Sequence, residues 1–121
     1  MKKKKTLVIG ASPNRSRYAW LAVQRLKNFG HEVIPLGVRD GEIEGIPIVH
    51  GKPELEGIDT ITIYINLFRQ EEYYDYLLDM KPRRMIFNPG AENPAFMWRA
   101  KLEGVEVVEG CTLVMLATGQ Y

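Results

Sequence analysis

Apolar and polar positions follow each other in blocks along the chain, and the blocks alternate between the two periods of secondary structure. Leu7, Val8 and Ile9 form a continuous apolar run, the pattern of a strand buried on both faces, and Gly10 follows where the backbone must turn sharply. Residues 18–29 read as one helix, for which Ser12, Asn14 and Ser16 are each competent N-caps; Gly30 stops it. Residues 31–36 read as the second strand, and two strands joined by one helix predict parallel pairing with a right-handed crossover. Residues 37–41 form a loop at its carboxyl end, and residues 42–57, rich in Gly and Pro, an irregular connection with 46–49 as a short extended piece. Residues 59–65, apolar at Ile61, Ile63 and Ile65, are the third strand, and 70–80 a helix closed by Lys81-Pro82. The fourth strand covers 84–87. Asn93-Pro94 has the form of an N-cap with proline at the first helical position, opening a helix through Leu102 that Gly104 stops. Residues 105–108 are the fifth strand, and 112–117 a terminal helical turn, with a strand as the alternative.

This alternation predicts an α/β fold: a doubly wound, mostly parallel sheet of about five strands between helices, in three α/β/α layers. At 121 residues, one domain over residues 1–121 is expected. In such sheets ligands lie beyond the carboxyl ends of the strands, at the point where strand order reverses. That rule selects five groups: Gly10, Ala11, Ser12, Pro13 and Asn14; Gly37, Val38 and Arg39 with Asp40; Asn66 to Arg69; Asn88, Pro89 and Gly90; and Gly110-Cys111.

The first group is a strand running through a glycine turn into a helix, whose N-terminus carries unpaired N–H groups and a partial positive charge suited to phosphate. It lacks the full Gly-x-Gly-x-x-Gly fingerprint, since Ala11, Ser12 and Pro13 follow Gly10, and an ordinary βα turn is the alternative. After the second strand, where an NAD site places an acid, Arg39 suits a phosphorylated ribose such as NADP or coenzyme A carries; Asp40 offers the opposite charge one residue on. Asn66 and Arg69 suit an adenine edge or a phosphate, although Arg69 could equally cap its own helix. Asn88-Pro89-Gly90 brings backbone close to the crevice or forms a structural turn.

The 16 Lys+Arg against 15 Asp+Glu leave a formal charge of +1, without the basic excess of a nucleic-acid binder. Lys2 to Lys5 read as a solvated lead-in to the first strand. The apolar stretch after them ends at Pro13, too short for a signal core, and no run approaches the about 18 residues of a membrane span, so a cytoplasmic protein is expected. One cysteine and two histidines form no legible metal cluster, and no Ser–His–acid set or catalytic carboxylate pair emerges. His31 is expected at the amino end of the second strand, away from the crevice, as a turn residue. Cys111 reads as a small buried hydrophobe, and Tyr73, Tyr74 and Tyr76 as packing residues or a subunit contact.

Taken together, Val8-Ile-Gly-Ala-Ser-Pro13, Gly30-His-Glu-Val-Ile-Pro35, Phe87-Asn-Pro-Gly-Ala-Glu-Asn-Pro94 and Glu109-Gly-Cys111 resemble the coenzyme A-binding domain family, small Rossmann-like proteins of bacteria and archaea similar to the amino-terminal domain of the succinyl-CoA synthetase α subunit. The resemblance covers nearly the whole chain. It implies coenzyme A or acyl-CoA as ligand, its pyrophosphate at Gly10, Ala11 and Ser12, its adenosine end at 37–39, and residues 66–69 and 88–90 along the remaining wall. Many members carry Asn-Pro after the second strand, where this chain has Leu36-Gly37-Val38, and nothing matches the synthetase phosphohistidine. The expectation is therefore a stand-alone binding module without catalytic machinery, able to form a homo-oligomer or join a larger enzyme. An NADP-linked oxidoreductase domain and an interaction subunit with a vestigial nucleotide site, signalled by exposed Tyr73, Tyr74 and Tyr121, are the alternatives.

Overall fold

The computed structural model describes residues 2–121. Five strands, β1 (Thr6–Ile9), β2 (Val33–Leu36), β5 (Thr60–Ile63), β6 (Arg84–Phe87) and β7 (Glu106–Glu109), form one parallel sheet in the order β2-β1-β5-β6-β7. The chain leaves β1 for β2 on one side and later returns to place β5 on the other. The reversal of strand order therefore falls between β1 and β5, and the crevice opens above their carboxyl ends.

The three central strands are buried along their whole length, which their apolar and threonine-rich sequences permit. Alternate side chains serve opposite layers. Leu7, Ile9, Ile61, Ile63 and Phe87 pack with Leu77 of α3 (Tyr74–Asp79) and Phe96 and Ala100 of α4 (Pro94–Leu102). Val8 and Ile86 face Trp20, Val23 and Leu26 of α1 (Tyr18–Asn28) and Leu116 of α5 (Thr112–Ala117). The three-layer α/β/α Rossmann-like expectation is met, and residues 112–117 are helix rather than strand. The outer edge of β7 carries exposed Glu106 and Glu109, charges that discourage another strand from pairing there.

Two details differ from the pattern-based expectation. Residues 42–57 contain a small antiparallel ribbon, β3 (Glu42–Ile43) with β4 (Ile46–Pro47), after which Val49 bridges Leu36 in parallel and extends the β2 edge. The helix expected over 70–80 begins earlier and is broken: α2 (Leu67–Gln70) passes through a 3-10 turn (Glu71–Tyr73) into α3. The early start follows from Asn66, whose side chain accepts from the Phe68 and Arg69 N–H groups. Gln70, wholly buried, donates to the carbonyls of Ile65 and Ala91 and fastens this segment to the loop after β6.

His31 lies at the amino end of β2 and is buried: Nδ1 accepts from the Lys4 N–H at 2.9 Å and the ring meets Tyr121 edge-on at 5.0 Å. Burial, then the charges of Lys3, Lys4 and Arg84, hold its imidazole below the ordinary value of 6.5. Above 6.5 the ring is neutral in both folded and unfolded chains; below it the unfolded chain takes the proton first, so stability falls with pH until the folded ring also titrates. The urea midpoint is expected to drop between pH 7.5 and 5 in wild type and to lose that slope in His31→Asn, which keeps an acceptor for Lys4. Asp59, whose carboxyl the Arg83 guanidinium holds below its usual 3.8 against the opposing effect of burial, adds its own loss only at lower pH.

Candidate functional site

The site is built where the exits of β1, β2 and β5 press together. Gly10 has φ +100°, and a Cβ there would lie 3.1 Å from Ile65 Cγ2 and 3.2 Å from the Tyr64 backbone. Both the Gly10 and Ala11 N–H groups donate to the Leu36 carbonyl at 2.9 Å. These two amides hold β1 against β2 and are already engaged within the protein.

The anion-ready groups come one step later. The N–H groups of Ser12, Tyr18 and Ala19 have no acceptor among the described residues. Ser12, Asn14 and Ser16 do not cap α1 as expected. Ser12 Oγ accepts from the Asn14 N–H, and Asn14 Oδ1 from the Ser16 N–H and hydroxyl, which shapes the loop into consecutive turns and leaves Arg17 at the N-cap without a capping side chain. The first turn of α1 also contains no acid. A cation at the positive end of a helix is unfavourable unless an anion sits with it.

Above these groups lies a cleft of about 330 Å³. Arg17, Arg39 and Arg69 all line it, no Asp or Glu does, and none of the three guanidiniums makes an ion pair among the described residues. A chain of formal charge +1 thus concentrates three cations around one concavity.

Of the residues selected from the sequence, Gly10, Ala11, Ser12, Gly37, Val38, Arg39, Arg69 and Pro89 line this cleft. Between the rival charges after β2, Arg39 lines it while Asp40 contacts His50 Nε2 at 2.9 Å. Pro13, Asn14, Asn66, Asn88 and Gly90 are not among the lining residues. Asn14 organises the loop before α1 and Asn66 caps α2. Pro13 packs toward Gly41, where a Cβ would come within 2.9 Å of it, and the Gly90 N–H donates to the Glu92 carboxylate. Asn88 is buried with its amide fully used: Nδ2 donates to Thr62 Oγ1 at 2.7 Å and the Ile63 carbonyl at 3.0 Å, and Oδ1 accepts from the Thr112 N–H at 2.9 Å. Replacing Asn88 by Ala strips partners from Thr62 and Thr112 together, an expected loss of about 2–4 kcal/mol in urea unfolding.

Arg17, Tyr18, Tyr64 and Tyr73 line the cleft without having been selected. Arg17 carried a usable signal, a basic residue at the predicted start of a helix. Tyr64 did not: its hydroxyl is buried without a hydrogen-bond partner, and burial pushes its phenol well above the usual value, so it stays protonated. Tyr74, Tyr76 and Tyr121 are committed to packing or internal hydrogen bonds. Tyr74 stacks on Phe96 at 4.2 Å and its hydroxyl accepts from Asn93; Tyr76 donates to the Pro53 carbonyl. Tyr121 is buried under Arg84, 4.4 Å from its ring, so it forms no exposed aromatic contact. Cys111 is half-buried beside α5 and does not line the cleft.

The family model described as "CoA binding domain" matches residues 4–117. A crystal structure described as that of an uncharacterized protein is similar over 100% of both chains, at 49% identity and a TM-score of 0.97. A hypothetical protein from Pyrococcus horikoshii OT3 is similar over 97% of this chain and 84% of its own, at 19% identity and a TM-score of 0.86. A protein from Thermus thermophilus is similar over 98% and 91%, at 19% identity and a TM-score of 0.82. At these lower identities the likeness is one of fold. No curated protein matches the sequence. No helix among the described residues is long and apolar enough to cross a membrane.

Proposed function

Because the chain belongs to the CoA-binding domain family, we propose that its cleft binds coenzyme A or an acyl thioester of it, as a stand-alone module that performs no bond-making of its own. The observation that carries this reading is the set of three unpaired arginines around a cleft without a carboxylate. Coenzyme A joins a diphosphate and a ribose 3′-phosphate in one molecule, so it offers several anionic groups to a cleft lined by several guanidiniums. The diphosphate is assigned to the open N–H groups of Ser12, Tyr18 and Ala19 with Arg17, where the helix dipole favours it. Val38 and Arg39 then serve the adenosine end, and Arg69 and Pro89 the wall along which the other arm leaves. A bound coenzyme supplies a thiol able to carry an acyl group; the chain's own residues bind and orient it. The module is proposed to act in the cytoplasm, handing its ligand to a larger enzyme or sensing it.

Titration calorimetry with coenzyme A, acetyl-CoA, NADP and ATP tests the reading. Coenzyme A or its thioester is expected to bind clearly more tightly than the other two. A preference for NADP would replace it with an oxidoreductase-type domain, and no binding to any of them would leave a protein-interaction role, for which exposed Trp98 and Leu102 on α4 would be the first residues to test.

A further inference from the structure

His50 stands outside the cleft, yet it grips the loop that supplies one of its walls. Its Nδ1 lies 2.7 Å from the Gly37 carbonyl and its Nε2 2.9 Å from an Asp40 carboxylate oxygen. Both oxygens are acceptors. A neutral imidazole has one N–H and one bare lone pair, so either tautomer would set a lone pair against an oxygen. Only the imidazolium, with two N–H donors, satisfies both contacts at these distances. The residues enclosed between the two gripped positions are Val38 and Arg39, both of which line the cleft.

We propose that His50 is a proton-dependent positioning residue: charged, it clamps Gly37 to Asp40 and holds Arg39 toward the cleft; on losing its second proton it drops one of these two contacts, loosens the turn between them and weakens anion binding. The ligand part of this statement rests on the coenzyme A reading above, whereas the clamp itself does not. The ring's segment is firmly anchored, since the Val49 N–H donates to the Pro35 carbonyl and the Val49 carbonyl accepts from the Gly37 N–H. Gly37 and Gly41 keep backbone bonds of their own, to the Val49 carbonyl and from the Ile48 N–H, so the clamp acts from a fixed edge on the turn at 38–40 between them. The charges nearest this contact in the chain are Asp40 and Arg39 on the gripped loop and Lys52 on the ring's own segment; the Lys52 ammonium lies over the Tyr73 ring at 5.6 Å. Asp40 is the sole recorded ion-pair partner of the ring among the described residues. Its carboxylate is fully exposed, which keeps the energy modest and the switch graded rather than all-or-none.

The test has two readouts. In the ligand-free protein, ¹⁵N heteronuclear NOEs of Val38 and Arg39 are followed from pH 5 to 8.5 together with the His50 ring resonances, His31 being the only other histidine to assign. Loop order should fall with a midpoint coinciding with the ring titration, and should be independent of pH in both His50→Gln and Asp40→Asn. In the second readout, coenzyme A affinity is measured over the same range. Wild type should weaken about threefold more than His50→Gln between the ends, the variant subtracting the titration of the ligand's own phosphate. Loop order unchanged across the ring titration, or a pH profile of His50→Gln identical to that of wild type, would overturn the proposal. If coenzyme A does not bind at all, the ligand reading falls, and the NOE readout alone still judges the clamp.

Discussion

Substituting Gly37 by Ala is expected to destabilise the chain by about 3 kcal/mol or more and to abolish ligand binding in whatever fraction still folds. A Cβ on Gly37 would lie 2.0 Å from the Ala11 carbonyl oxygen, a distance no pair of unbonded atoms tolerates. The obstruction is contact, since Gly37 does not need the left-handed region that Gly10 occupies at φ +100°. Neither side can yield cheaply. Ala11 is tied to Leu36 through its N–H, and Gly37 donates to Val49 while its carbonyl meets His50. Separating the two loops would break the β2 edge or displace the turn that carries Ser12. Gly90→Ala is the control: its φ of +92° strains an alanine, but nothing lies within 4 Å of the new methyl, so a loss of only about 1 kcal/mol is expected. Urea unfolding of the two variants decides the matter. Equal losses would mean that backbone conformation, and not the approach of the β1 and β2 exits, sets the cost.

Sequence reading went furthest where structure is dictated locally. The apolar runs of β1, β5 and β6, the stop at Gly30 and the Asn93-Pro94 helix start each follow from neighbours in the chain, and the observed elements agree within a residue or two. The rule that ligands lie beyond strand ends selects Gly10, Gly37, Arg39 and Arg69, which all line one cleft. It could not separate residues that serve a cleft from residues that serve the chain. Asn66 and Asn88 sit at strand ends with the donors and acceptors a ligand would want, but a helix cap and a buried link to Thr62 and Thr112 use them first. Arg17 falls outside that rule because it stands at the start of α1, one loop beyond the end of β1. Tyr121 lay beyond local inference altogether: its burial depends on Thr6, His31 and Arg84, brought from three distant segments.

Replacing Arg17, Arg39 and Arg69 by uncharged residues is expected to cost binding without costing the fold. Each guanidinium that meets a phosphate contributes on the order of 1.5–3 kcal/mol, so Arg17→Gln and Arg39→Gln should each bind coenzyme A at least about tenfold more weakly, Arg69→Gln beside the uncharged arm less so, and the triple variant at least about a hundredfold more weakly. None of the three holds an ion pair among the described residues, so stability has little to lose. Arg17 makes the sharper case. It occupies the N-cap of α1 with no capping bond, and its charge opposes the helix dipole, whereas Ser is among the best residues at that position. Arg17→Ser should therefore raise the urea-derived stability by about 0.5–1 kcal/mol while lowering affinity about tenfold. That opposition of signs is what a structural role cannot produce: an arginine retained for packing would lose stability on removal, and one with no role would leave affinity unchanged. Salt supplies the independent check. Screening by about 0.5 M chloride should weaken the wild type strongly and the triple variant hardly at all, and parallel salt curves would move the phosphate contacts away from these side chains.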